Sequence, residues 1–198
     1  INKAFFECPP TYAYAKLTDF ATYVVVYIIN EAQCDAAVAL IQQQRAVGFD
    51  CEWDKSEESI NGKRVDLVQV ATVGSAGTVR TCFLFLMNKI GRLPDSLVEV
   101  LTNADVLKAG FGVKGDITRL LHWRSDEDAI TPAGIGEVGV LTKALGMTTG
   151  ARASMEKTIE SWFGVSVLKD NSIRLGPWGV PDLNPVRFTP RRVRTTVC

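Results

Sequence analysis

Two carboxylates, Asp50 and Glu52, stand one residue apart in the run Val47-Gly48-Phe49-Asp50-Cys51-Glu52-Trp53. On a β-strand the side chains alternate between faces, so Asp50 and Glu52 point one way while Phe49, Cys51 and Trp53 point the other. Like charges held that close raise each other's pKa, and such a pair is kept mainly where a cation neutralises it. A donor set made only of hard oxygens selects Mg²⁺ or Mn²⁺. The plainer alternative leaves one carboxylate at a frayed strand end in water. The apolar residues on both sides argue instead for a central strand.

A second element with chemical potential is Leu107-Lys108-Ala109-Gly110-Phe111-Gly112-Val113-Lys114-Gly115-Asp116. A short strand ends in glycines that let the backbone turn sharply, and Asp116 opens the helix that follows. Asp116 is then either a third metal-directed carboxylate or an N-cap that satisfies the orphan amides and the dipole of its helix.

The elements that must position these residues alternate between strand and helix. Thr22–Ile29 reads as a strand that stops at Asn30, which caps a helix over Glu31–Arg45 with Gln33 as its capping-box partner. Cys34, Ala37, Val38 and Ile41 share one face of that helix. Val47–Trp53, Val65–Val73 and Val79–Met87 form a β-meander, the last two joined through Gly74-Ser75-Ala76-Gly77. A helix over Pro94–Leu101, a short strand over Val106–Phe111 and helices over Asp116–Trp123, Val138–Leu145 and Ser154–Phe163 follow. From Asn171 the chain is rich in Gly, Pro and Arg. Antiparallel strands followed by helix-alternating strands predict one α/β domain, a mixed β-sheet with helices on both faces. Its limits are the whole of residues 1–198, with 1–20 an N-terminal extension and 171–198 a divergent C-terminal segment.

Composition narrows the function classes. The 198 residues carry 22 Lys+Arg against 22 Asp+Glu, so any contact with nucleic acid must be local rather than driven by a global field. Five scattered cysteines suit reduced core thiols and an intracellular setting better than a disulfide frame. One histidine and the lack of a Cys-x-x-Cys pair argue against zinc. The longest apolar run, Tyr23 to Ile29, is too short to span a bilayer, and the chain reads as soluble, with no membrane role.

Taken together, these motifs resemble a known family. Phe49-Asp50-Cys51-Glu52-Trp53 is similar to the first exonuclease motif of the DEDD 3′–5′ exonucleases, in the branch typified by RNase D and the Werner syndrome helicase exonuclease domain. Val65-Asp66-Leu67-Val68-Gln69-Val70-Ala71 resembles the following family strand, which commonly carries a Gln, and Gly110 through Leu120 resembles the second motif. Ser154 through Glu160, and Leu168 through Arg174 with Trp178, resemble the segment leading into the third. The resemblance implies an RNase H-like fold and a metal-dependent hydrolase that removes nucleoside 5′-monophosphates from a DNA or RNA 3′ end. It implies two Mg²⁺ or Mn²⁺ ions held by Asp50, Glu52 and Asp116. It also implies nucleic-acid contacts from Trp53, Gln69, Lys169 and Arg174, and it suggests a nuclear location. Protein partners are not legible.

One departure from the family pattern stands out. Phe188-Thr189-Pro190 matches the helix start of the third motif, with Thr189 as N-cap and Pro190 at the first helical position. Continuing in register puts Thr195 where the family has Tyr or His, and the last Asp would fall just beyond Cys198. A catalytically inactive exonuclease-like module that binds nucleic acid or protein is therefore the alternative reading. Trp53, as a large aromatic ending a central strand, also reads as a core residue, His122 as a helix-end surface or half-buried residue rather than a general base, and Lys108, Lys114 and Arg119 as a solvated face rather than phosphate contacts.

Overall fold

The computed structural model describes residues 23–54, 64–73, 80–124, 130–146, 154–163 and 178. Six strands form one sheet: β1 (Tyr23–Ile28), β2 (Ala46–Glu52), β3 (Leu67–Thr72), β4 (Arg80–Leu86), β5 (Leu107–Gly110) and β6 (Ile135–Glu137), in the order β1-β4-β3-β2-β5-β6. β2, β3 and β4 pair antiparallel as the predicted meander. β1 joins β4, β5 joins β2 and β6 joins β5, all in parallel. The sheet is mixed, and the strand bearing Asp50 and Glu52 has neighbours on both sides.

Alternation sorts the strands into two faces. Val26 and Ile28, Val47, Phe49 and Cys51, Val68 and Val70, and Phe83 and Phe85 all join the main core. Three helices close over it: α1 (Glu31–Ile41), α3 (Asp95–Thr102) and α4 (Val113–Trp123). α1 buries Cys34, Ala37, Val38 and Ile41, the i, i+3, i+4, i+7 stripe of an amphipathic helix. Asn30 caps it, its Oδ1 accepting the Gln33 N–H at 3.0 Å, while Gln33 Oε1 accepts the Ile29 N–H at 2.9 Å. The helix ends at Ile41 rather than Arg45, because the Arg45 carbonyl already accepts the Leu107 N–H at 2.9 Å as the sheet begins.

The opposite face carries Val25, Leu67, Leu84 and Leu86, against which Trp178 is buried. Three short helices complete the described elements: α2 (Met87–Ile90), α5 (Val138–Ala144) and α6 (Met155–Phe163). α2 and β6 had no counterpart in the sequence reading, since four and three residues are too few for a periodicity to register. Among the described residues no helix is long and apolar enough to cross a membrane.

Candidate active site

The register of β2 fixes what surrounds the two strand carboxylates. Asp50 lies opposite Gln69 and Glu52 opposite Leu67, so both carboxylates lie on the face away from the main core, together with the Gln69 amide. Asp50 is exposed and Glu52 half-buried at the C-terminal end of the strand. Between them, Cys51 is 5% exposed and turned into the core.

Asp116 arrives from the core-side helix α4, and the glycines before it explain how. A Cβ on Gly110 would lie 2.3 Å from the Phe49 carbonyl oxygen and 2.8 Å from Val113 Cγ2, so only glycine lets β5 and the start of α4 press against β2 here. Gly112, at φ +83°, is the N-cap, a left-handed conformation that costs little without a side chain. The helix therefore begins at Val113, not at Asp116. Asp116 is buried in the first turn, and its N–H is already bonded to the Gly112 carbonyl at 3.1 Å. The capping role falls to Glu137 at the end of β6, whose two carboxylate oxygens accept the Gly112 and Lys114 N–H groups, each at 2.9 Å. The sequence reading missed Glu137. An acid at the end of a three-residue strand carries no periodic signal.

With its capping role removed, Asp116 is a buried carboxyl in an acidic setting. Burial chiefly, and then the charges of Asp50 and Glu137, push its pKa up from 3.8 to about 7. The Cys51 thiol is pushed well above its ordinary value by burial and next by the charges of Asp116, Asp50 and Glu52. The charges of all three carboxylates thus reach one buried sulfur near the end of β2. Among the described residues no three Asp, Glu, His or Cys side chains close into a ready metal cage. Asp50, Glu52 and Asp116 offer only hard carboxylate oxygens, the donor type that suits Mg²⁺ or Mn²⁺.

Behind the carboxylates runs a second polar layer. Asp66, 1% exposed, accepts the Asp54 N–H on Oδ2 at 2.8 Å. Its Oδ1 contacts Arg64 Nε at 3.0 Å, an ion pair too poorly aligned to count as a hydrogen bond. The Asp66 N–H bonds the Glu52 carbonyl at 3.0 Å. Arg119 donates from Nε to the Arg64 carbonyl at 3.1 Å and lays its guanidinium 4.6 Å from the centroid of the Trp53 ring. Trp53 is accordingly partly buried against the core under an arginine.

The basic residues near the second motif do not form one solvated face. Lys108 is fully buried and donates to the Asn103 carbonyl at 2.7 Å, Arg119 turns inward, and only Lys114 is exposed. Burial lowers the Lys108 pKa to about 8. His122 is exposed in the last turn of α4, as expected of a helix-end residue. Lys169, Arg174, Thr189, Pro190 and Thr195 lie outside the described residues.

No family model matches the chain. Over 132 residues, 67% of its length, it is 29% identical to the mouse (Mus musculus) bifunctional 3′-5′ exonuclease/ATP-dependent helicase WRN, of which it spans 9%. Its fold matches the crystal structure of the Aedes aegypti Nibbler EXO domain with a TM-score of 0.64 at 16% identity, covering 82% of this chain and 78% of that one. It matches Trypanosoma brucei RNase D with a TM-score of 0.63 at 20% identity, covering 83% of this chain and 58% of that one. The mixed sheet, the Asp-x-Glu strand and the glycine-hinged helix thus give the chain the fold of the RNase H-like exonuclease domains to which it is similar.

Proposed function

We propose that the protein is a metal-dependent 3′–5′ exonuclease that hydrolyses phosphodiester bonds at a DNA or RNA 3′ end and releases nucleoside 5′-monophosphates. The observation that supports this reading is the placement of Asp50 and Glu52 on the central strand β2 with Asp116 in the first turn of α4, which the Gly110 approach to the Phe49 carbonyl presses against that strand. A nuclear setting, suggested by the family resemblance, belongs to the same proposal.

Asp50, Glu52 and Asp116 would hold Mg²⁺ or Mn²⁺. Bound there, such ions activate water for attack and stabilise the departing 3′ oxygen. The protein's own contribution is rigidity and charge. β2, paired with β3 through Asp50 and Glu52 and with β5 over Ala46 to Gly48, fixes the two strand carboxylates, and the Glu137 cap fixes the turn that delivers Asp116. Asp116 must lose its proton before it can serve as a ligand. Gln69, opposite Asp50, offers an amide donor and acceptor to the terminal nucleotide. Lys169 and Arg174 are assigned to the substrate phosphates by the same proposal.

The test pairs metal binding with cleavage. Mn²⁺ should raise the melting temperature by mass action, and Asp50→Ala should abolish that shift. A 5′-labelled single strand should shorten stepwise from its 3′ end in an EDTA-sensitive manner, with Asp116→Asn inactive. A melting curve unchanged at millimolar Mn²⁺ would sink the metal site. Binding of Mn²⁺ and of the strand without shortening would favour the inactive binding module.

A further inference from the structure

We propose that Arg119 is a positioning residue for the carboxylate site, locking the helix that carries Asp116 to the strand end that carries Glu52. This inference rests on the metal-dependent reading above. Arg119 lies three residues after Asp116 on α4, a spacing that sets both side chains on neighbouring parts of one helix face.

The contacts of Arg119 run from α4 to two segments that also meet it in the main core, and they add directional contacts to that packing. Its guanidinium covers Trp53, the residue directly after Glu52. Its Nε bonds the Arg64 carbonyl just before β3. Arg64 in turn contacts Asp66, which holds the Asp54 N–H and bonds the Glu52 carbonyl through its own N–H. One side chain thereby joins α4 to the end of β2 and to the chain that leads back into β3.

The physical need for such a tie follows from how the rest of α4 is held. Val113, Ile117, Leu120 and Leu121 bury its apolar stripe, and Glu137 pins its first turn. The buried stripe sets which face of α4 meets the core, and a stacked, hydrogen-bonded guanidinium adds a contact that is sensitive to the exact angle. A metal site is sensitive to displacements well under an ångström, so that angle sets the distance of Asp116 from Asp50.

The test measures Mn²⁺ affinity by calorimetry, with the melting temperature of the metal-free protein taken separately. Arg119→Gln should weaken Mn²⁺ binding by ~10-fold or more, the scale typical of supporting residues around a metal. Turnover should recover in part at high Mn²⁺. Arg119→Lys, which keeps the charge but not the planar fork, should be weakened as well. Arg124→Ala is the control. It removes a different arginine, paired with Asp95 at 2.9 Å beyond the other end of α4, and should leave the affinity unchanged.

Wild-type Mn²⁺ affinity in Arg119→Gln, or in Arg119→Lys where the Gln variant does not fold, overturns the proposal. So does an equal loss in Arg124→Ala, which would mean general loosening of the helix. Failure of the wild-type protein to bind Mn²⁺, or retention of binding by Asp116→Asn, would instead overturn the metal reading itself.

Discussion

Glu137 and Lys114 meet at the start of α4, where Glu137 Oε1 accepts the Lys114 N–H at 2.9 Å while Oε2 accepts that of Gly112 at the same distance. A negative charge at a helix N-terminus is favoured by the dipole, and each bond satisfies an amide that the helix cannot. The same charge disfavours ionisation of Asp116 one turn along. Glu137 therefore stabilises the turn and makes the buried carboxyl harder to ionise.

Glu137→Ala should lower stability by roughly 1–3 kcal/mol, the range of a lost cap made of charge-assisted bonds. Glu137→Gln, which keeps one acceptor oxygen, should lose less. The midpoint of urea unfolding checks both, and an unaltered midpoint in Glu137→Ala would mean that the turn is held by Gly112 and apolar contacts alone.

The raised pKa of Asp116 predicts the sign of a pH dependence. Its folded value near 7 lies above its ordinary 3.8, so between those values the folded state keeps a proton that the unfolded state releases. In metal-free protein this contribution is fully present below pH 4, falls as pH rises toward 7 and is absent above it. Asp116→Asn, neutral throughout, should flatten that part of the profile. At pH 8 without metal it should melt several degrees higher than wild type, while losing metal binding. Thermal melts from pH 4 to 8 with EDTA decide the matter, and an identical slope in the variant would assign the proton elsewhere.

Legibility in the sequence tracked the length and regularity of each element. The Asp-x-Glu alternation of β2, the meander and the apolar stripe of α1 were readable because each repeats a period over six or more residues. The start of α4 was misplaced by three residues because Asp116 carries a capping residue's chemistry. The true cap is Gly112 in a left-handed conformation, completed by Glu137 from a distant strand. Trp53, Arg119 and Asp66 come together only through tertiary contacts across residues 53 to 119, which no local pattern encodes. Similarly, the burial of Lys108 reflects its pairing with Val47 on the core face of the sheet and a carbonyl waiting at Asn103.

Asp66 is the buried charge whose loss should cost the most behind the site. Asp66→Ala would strand the Asp54 N–H and leave Arg64 without its carboxylate, a change of the kind that costs ~3–5 kcal/mol when a buried pair is broken. Because Arg64 is itself over a third exposed, the lower end of that range is the expected result. Asp66→Asn keeps an acceptor for the Asp54 N–H and should lose less. Chemical denaturation of the two variants measures the difference, and equal losses would show that the ion pair rather than the backbone bond matters.

Gly110→Ala tests the close approach on which the placement of Asp116 depends. The new methyl would stand 2.3 Å from the Phe49 carbonyl oxygen, far inside contact distance, and 2.8 Å from Val113 Cγ2. The valine methyl could yield by a rotamer change, but the carbonyl belongs to the residue before Asp50 in the middle of the sheet and cannot yield without moving the strand. Overpacking of this kind costs about 1–3 kcal/mol or more. Any relaxation must push β5 and α4 away from β2, carrying Asp116 from Asp50. The variant should therefore be destabilised and also bind Mn²⁺ more weakly under conditions where it remains folded. Urea unfolding and calorimetric titration on the same preparation separate the two effects. Wild-type affinity in a destabilised Gly110→Ala would show that Asp116 is placed independently of the β2–β5 contact.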